Sequence, residues 1–537
     1  MLRYVNGDKQ YQFHDLTVDV EPGHVYSKTG QLRFRTWTNK GKIIRPHSYT
    51  SILLTPSYRV TERETVQGVA KAAVRDFARL VQEGVCKEGQ ILLLMADGTH
   101  KNKSNTSMTG PWFLDYQNEE EIVSLIKRYK MDFATVVTED SDIFTSCPGK
   151  TDVRGKGSQF EAAFNFICHY AVPYDDKDKT HVVCIDSDLK GTDGFVYRMF
   201  LGLNKGYSYL APFYWRHKYE GRLTNHLMFP LYSSLTRYVL RQPIGGEFAF
   251  NGTMLVRFTN PTIWTKSWRD FGIDVAMSVT AAASGDSIGQ LHLPRKINYV
   301  GDDARRQIGD MFVQCGRSLF NGLIDMLDST PSWAESEVTI APVVETEAVH
   351  NTNLKVELSE NAEIIAALHS FLTLKMGPAF QRNNETILGD GLSDRIKATF
   401  EEFKGNGLCS VLAWNKPKEM PRDEQAKVID QLQSIKSKYF LSSDEWAQTV
   451  LRCFKEFQVR RSNNEQQACH TVIRGVLLCV FYLRVLSFNI ETSGLPTYPD
   501  AEELVMQQME VFSRFALVYL QENNNDQEAL SNGTLKD

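Results

Sequence analysis

Asp186-Ser187-Asp188 stands directly after the apolar run 182–185. A short apolar run of this kind makes a buried parallel strand. Two carboxylates at its C-terminal tip then lie where open α/β sheets bind their ligands. Residues i and i+2 point the same way, so Asp186 and Asp188 suit one hard cation, Mg2+ or Mn2+, held against a diphosphate. Acid pairs after strands also cap the following helix, and the pattern alone leaves both uses open. Lys156, between Gly155 and Gly157, is a point charge for a phosphate or carboxylate, or else the tip of a solvated turn. Gly221-Arg222-Leu223-Thr224 precedes a helical stretch expected from near Asn225. A guanidinium, a hydroxyl and free backbone donors at a helix start suit an anion, while the plainer reading is an N-cap beside a surface charge.

The elements that must position these residues follow from periodicity. Strands are expected at 51–55, 90–95 and 133–137 and at the run before Asp186, with helices at 63–82, 119–129 and 155–170 between them. That alternation predicts a mostly parallel sheet with right-handed crossovers and its ligands at the C-terminal edge. The first 48 residues alternate apolar and polar types around glycines and predict a β-rich arm. Past Asp188 come aromatic-rich segments and a long helix near 302–327. A linker is expected at 331–357, a helical domain at 358–522 and a disordered tail at 523–537.

With 537 residues, 42% hydrophobic composition and a net charge of -5, the chain has room for two or three cores and no global basic field for nucleic acid. The first seven residues have no apolar run, so no signal peptide is expected. The apolar stretch 476–490 contains Arg484 and reads as a core helix, so no membrane partner is expected. Nine cysteines without C-x-x-C spacing suggest reduced thiols and a cytoplasmic protein.

Taken in order, Thr55-Pro56, Asp97-Gly98, Gly155-Lys156-Gly157, Asp186-Ser187-Asp188, Gly221-Arg222-Leu223-Thr224, Gln242-Pro243-Ile244-Gly245-Gly246-Glu247, Gly272-Ile273-Asp274 and His292 resemble the GT-A nucleotide-sugar glycosyltransferases. Within them the order looks most like the retaining glucosyl-3-phosphoglycerate synthases and their mannosylglycerate and glucosylglycerate synthase relatives. The resemblance spans residues 50 to 325 and implies a Rossmann-like GT-A domain at 49–330. It places Thr55, Pro56, Glu62, Asp97, Lys156, Asp186, Ser187, Gly245 and Gly246 on the donor, and Gly221, Arg222, Leu223 and Thr224 on the acceptor's phosphate or carboxylate. It makes Asp186, Asp188 and His292 the ligands of Mg2+ or Mn2+, and Glu247 and Asp274 the catalytic acids, Glu247 facing the sugar hydroxyls and Asp274 beside the sugar hydroxyls or the acceptor. Gln290 and Pro294 depart from the family's pattern on either side of His292.

The resemblance thus implies transfer of glucose or mannose from a GDP-, UDP- or ADP-hexose to a small anion such as D-glycerate or 3-phosphoglycerate, with retention of configuration; a homodimer is expected. An inverting transferase with Asp274 as general base, and a catalytically silent protein that keeps the fold for binding, are the alternatives.

Overall fold

The computed structural model describes residues 5–6, 9–20, 27, 30–39, 41–57, 63–98, 109–116, 119–138, 155–214, 218–294, 296–298, 308–329, 338–344, 360–374, 387–414, 416–495 and 498–531. The apolar runs become strands as their periodicity predicts. In chain order these are β1 (Val5–Asn6), β2 (Lys9–Asp19), β3 (Gln31–Asn39), β4 (Ser51–Ser57), β5 (Ile91–Asp97), β6 (Asp132–Val137), β7 (His181–Cys184) and β8 (Leu189–Lys190). There follow β9 (Tyr209–Tyr214), β10 (Tyr238–Val239), β11 (Phe248–Asn251), β12 (Ile288–Leu293), β13 (Ile297–Asn298), β14 (Thr339–Ile340) and β15 (Val343–Val344). Eleven of them form one mixed sheet in the order β1-β2-β3-β6-β5-β4-β7-β11-β9-β12-β15.

Strands β6, β5, β4 and β7 are parallel neighbours, as crossovers through helices require. Buried on both faces, β5 reads as a nearly unbroken apolar run, and β4 carries a shorter one in Ile52, Leu53 and Leu54. Pro56, which has no N–H to give, falls beyond Leu54, the last residue of β4 paired with β7. The helix Arg63–Gln82 covers one face with Val66, Val69, Ala73, Phe77 and Leu80, each buried. Burial at that level is worth about 1.5–3 kcal/mol for each large side chain. The β-rich arm expected at the N-terminus is part of this sheet, since β3 pairs antiparallel with β6.

The chain divides into two compact units. The sheet unit takes residues 1–215, 241–306 and 341–351, and the helical unit takes 216–240, 307–340 and 352–537. This corrects the expected boundaries at 49–330 and 358–522, because two stretches placed in the sheet domain belong with the helices. The expected linker is also partly ordered: Val343–Val344 extends the sheet beside β12, while Thr339–Ile340 pairs with β10 in the helical unit. The last helix, Tyr498–Ser531, runs through most of the stretch expected to be a disordered tail, and 532–537 lie outside the described residues.

One stretch of the helical unit, Gln466–Glu491, is long and apolar enough to cross a membrane, yet most of it is buried within the structure. Arg484 lies inside it with 1% exposure. A buried guanidinium persists only with full hydrogen bonding. Its Nε donates to Gln508 Oε1 at 2.8 Å, and its terminal nitrogens donate to the Leu441 carbonyl and Ser443 Oγ, both at 3.0 Å.

Candidate active site

Strand ends meet at one edge of the sheet unit. There β7, β9 and β12 end, and β11, antiparallel between β7 and β9, begins. Asp186 follows β7, Tyr214 closes β9, Lys296 follows β12, and Glu247 immediately precedes β11. Two helix starts add Lys156, the first residue of Lys156–Phe166, and Asp274, the second residue of Ile273–Ser284. A carboxylate at Asp274 agrees with its helix dipole, whereas an ammonium at the start of a helix opposes it and needs acids nearby. Those acids are present. Lys156 Nζ lies 2.7 Å from Asp186 Oδ1 and 3.0 Å from Asp274 Oδ1.

Lys296 is the second cation. Its Nζ donates to the Gly245 carbonyl at 2.8 Å and to Glu247 Oε1 at 2.9 Å, and it stands 3.5 Å from Asp186 Oδ2. The Tyr214 hydroxyl donates to the fully buried Glu247 carboxyl. Burial pushes Glu247 up to about 8, against the pull of Lys296. Burial likewise raises Asp274, with Lys156 opposing it. Asp186 goes the other way: burial works against its charge, but Lys156 and Lys296 hold it below the usual carboxylate range. Burial opposes the Lys156 ammonium too, and Asp186 and Asp274 prevail, holding it above its ordinary value.

Glycines in the motifs admit the protein's own backbone and side chains. A Cβ on Gly155 would meet the Arg269 carbonyl at 2.1 Å, and one on Gly157 the Trp268 carbonyl at 1.7 Å. The two glycines flanking Lys156 thus let segment 268–270 lie on the helix start. That segment is fixed by Arg269, which donates from Nε and a terminal nitrogen to the buried Glu161 at 2.7 and 2.9 Å. Gly245 passes against Pro212. Gly246, at φ +91°, has Asp186 Oδ2 and Lys296 Nζ 2.7 and 2.8 Å from where its Cβ would be.

His292 does not join the acids. Leu293 is in register with Tyr214, and His292 with Phe213, so His292 points to the opposite face from the Tyr214 side chain. There it packs edge-on to the Phe213 ring at 4.5 Å. Among the described residues no three His, Cys, Asp or Glu side chains converge to hold a metal ion, which corrects the expected Asp186–Asp188–His292 set. The two acids alone still fit Mg2+ in its commoner form, one or two carboxylates completed by water and substrate phosphates. Asp188 is an exposed residue beside Asp186. The desolvated surroundings of its carboxyl raise it, and the Asp186 charge raises it further, as expected for two acids waiting on a cation. The flanking Gln290 is structural, accepting from the Arg241 amide at 2.6 Å and donating to the Ala341 carbonyl at 2.8 Å.

At the neighbouring strand tips Thr55, Asp97 and Ser187 are buried, and Gly98 donates to the Ser57 carbonyl at 2.8 Å. Asp97 and Thr135 both lie against Gly110. Glu62 lies outside the described residues. The Gly221–Thr224 motif belongs to the helical unit, and its expected layout is not the one found. The helix already includes Arg222, Thr224 is an inner residue of it, and the Asn225 amide donates to the Gly221 carbonyl at 2.8 Å. Arg222 donates to the buried Glu363, which also pairs with Lys418. The Arg222 guanidinium, expected to face an acceptor anion, is therefore engaged within the fold.

Lys296 and Tyr214 are the site residues that motif reading misses. The only signal for them lies in register, since both follow from β9 and β12 ending at the edge where β7 ends.

No family model and no curated protein matches the chain. Among solved structures it is similar over half its length to glucosyl-3-phosphoglycerate synthase from Mycobacterium tuberculosis in complex with Mg2+ and uridine diphosphate. That match has 18% identity and a TM-score of 0.33, and covers 52% of this chain and 79% of that one. A second structure of the M. tuberculosis synthase is similar at 17% identity and a TM-score of 0.32, covering 52% and 80%.

Proposed function

We propose that the chain is a metal-assisted GT-A glycosyltransferase that moves a hexose from a nucleotide sugar to a small anionic acceptor. The observation that carries this reading is the cluster of Asp186, Asp188, Asp274, Glu247, Lys156 and Lys296 at the ligand-binding edge of a mostly parallel α/β sheet. Asp186 and Asp188 would hold Mg2+, which when bound neutralises charge on the leaving diphosphate. Lys156 adds a fixed positive charge beside Asp186, and Lys296 keeps the Gly245–Glu247 turn against it.

Glu247, buried and bonded to both Lys296 and Tyr214, holds the turn beside Asp186 in place rather than meeting the sugar itself. Asp274, tied to Lys156 and partly open to solvent, is the carboxylate proposed to accept from a sugar hydroxyl. Thr55 and Asp97 at the ends of β4 and β5 are the groups proposed for the nucleoside. Such a site works by positioning and electrostatics, which suits attack on the face from which the diphosphate leaves, and hence retention. D-Glycerate and 3-phosphoglycerate, which the order of the motifs implies, are the acceptors proposed.

A matrix of UDP-, GDP- and ADP-hexoses against glycerate and phosphoglycerates, read by mass spectrometry, tests the reading. A hexosylated acid is the expected product, and an unchanged donor in every well overturns it.

A further inference from the structure

Gln159 is a buried group that the proposed chemistry leaves unused. It sits on the helix Lys156–Phe166, three residues after Lys156 and on the same helix face. It is 1% exposed, and both its amide nitrogen and its amide oxygen are buried without a hydrogen-bond partner. A buried carboxamide with neither end bonded is costly, and native folds keep such groups where something else completes them.

Its surroundings are built for it. The carboxamide lies against Gly98, where an added Cβ would come within 2.5 Å of Nε2 and 2.8 Å of Cδ. The Gly98 amide is anchored on the Ser57 carbonyl at 2.8 Å. Thr55 and Ser57, near the end of β4, and Thr135, within β6, also bury hydroxyls that have no partner. Gln159 thus stands between Lys156, whose ammonium is on Asp186, and the Asp97–Gly98 turn at the end of β5.

We infer that Gln159 reads the base of the nucleotide donor. A carboxamide donates from Nε2 and accepts at Oε1 in one plane, so its complement is a planar group with an acceptor and a donor side by side. The edge of a nucleobase has that form, and a base at Gln159 leaves its phosphates toward Lys156. This assignment rests on the transferase reading above and adds the residue that selects the donor.

Titration calorimetry on the full chain tests it, with UDP, GDP and ADP as ligands and inorganic pyrophosphate as the base-free probe. Wild type is compared with Gln159→Met, which keeps the volume and removes the amide, and with Gln159→Leu. The wild type should prefer one base. Both variants should bind that nucleotide about tenfold to a hundredfold more weakly, the scale of one or two lost hydrogen bonds. Pyrophosphate affinity and the thermal midpoint should not fall. Unchanged affinity for the preferred nucleotide in both variants overturns the inference, as does an equal loss for pyrophosphate, which would make Gln159 a purely structural group. If the wild type binds none of the three nucleotides, the transferase reading falls and this assignment with it.

Discussion

Glu247→Gln should flatten the pH dependence of stability. The Glu247 carboxyl is fully buried and lies at about 8 in the folded chain, against 4.5 for an ordinary glutamate. Between those values the folded state holds a proton that the unfolded state has released, so stability falls as pH rises. One proton sets a ceiling of ~1.4 kcal/mol per pH unit on that slope. Below the lower value both states are protonated, and above the upper value the loss is complete. Coupling to Lys296 and Asp186 spreads the titration, so we expect the variant to gain about 2 kcal/mol on wild type between pH 5 and pH 8. A glutamine oxygen at the Oε2 position still accepts from Tyr214 and Lys296, at the cost of the second Lys296 contact at Oε1. The assay is urea unfolding at four pH values in that range. The difference is read at whichever transition the substitution moves, since a chain of two units need not unfold in one step. Parallel stability curves for the two proteins would refute the reasoning.

Three further outcomes follow from the same geometry. Gly246→Ala should cost about 1 kcal/mol or more and remove turnover, because φ is +91° there and the new Cβ would crowd Asp186 and Lys296; a melt and a transfer assay on one preparation check both. Arg222→Ala should destabilise the helical unit by roughly 2 kcal/mol, leaving Glu363 with Lys418 alone, while slow donor hydrolysis continues; loss of hydrolysis with unchanged stability would return Arg222 to the active site. Asp188→Ala should keep stability within about 0.5 kcal/mol, since the residue is exposed, and abolish stimulation by Mg2+.

The parts of the site legible in the sequence were those that local rules determine. An apolar run ending in acids placed Asp186 at a strand tip, and a lysine between glycines singled out Lys156 at a helix start. What those residues touch was not legible. Lys296 reaches Asp186 only because β12 runs parallel to β9 at a register that pairs Leu293 with Tyr214. The same register turns His292 to the other face, a one-residue difference that motif order cannot detect. Arg222 shows the opposite failure. Its motif has the chemistry of an anion site, but its partner, Glu363, comes from a helix far along the chain. The assignment of 216–240 and 307–340 to the helical unit was hidden for a similar reason: their amphipathic patterns say that they pack, not against what.

The central claim is that the Asp186 cluster is where a nucleotide sugar reacts. It is tested most directly by the transfer rate of wild type and Asp186→Asn on the best donor and acceptor, with Mg2+ and with excess chelator. The account predicts that the variant loses turnover about a hundredfold or more at unchanged circular dichroism, and that chelator brings wild type to the same level. Wild-type turnover by Asp186→Asn would contradict it.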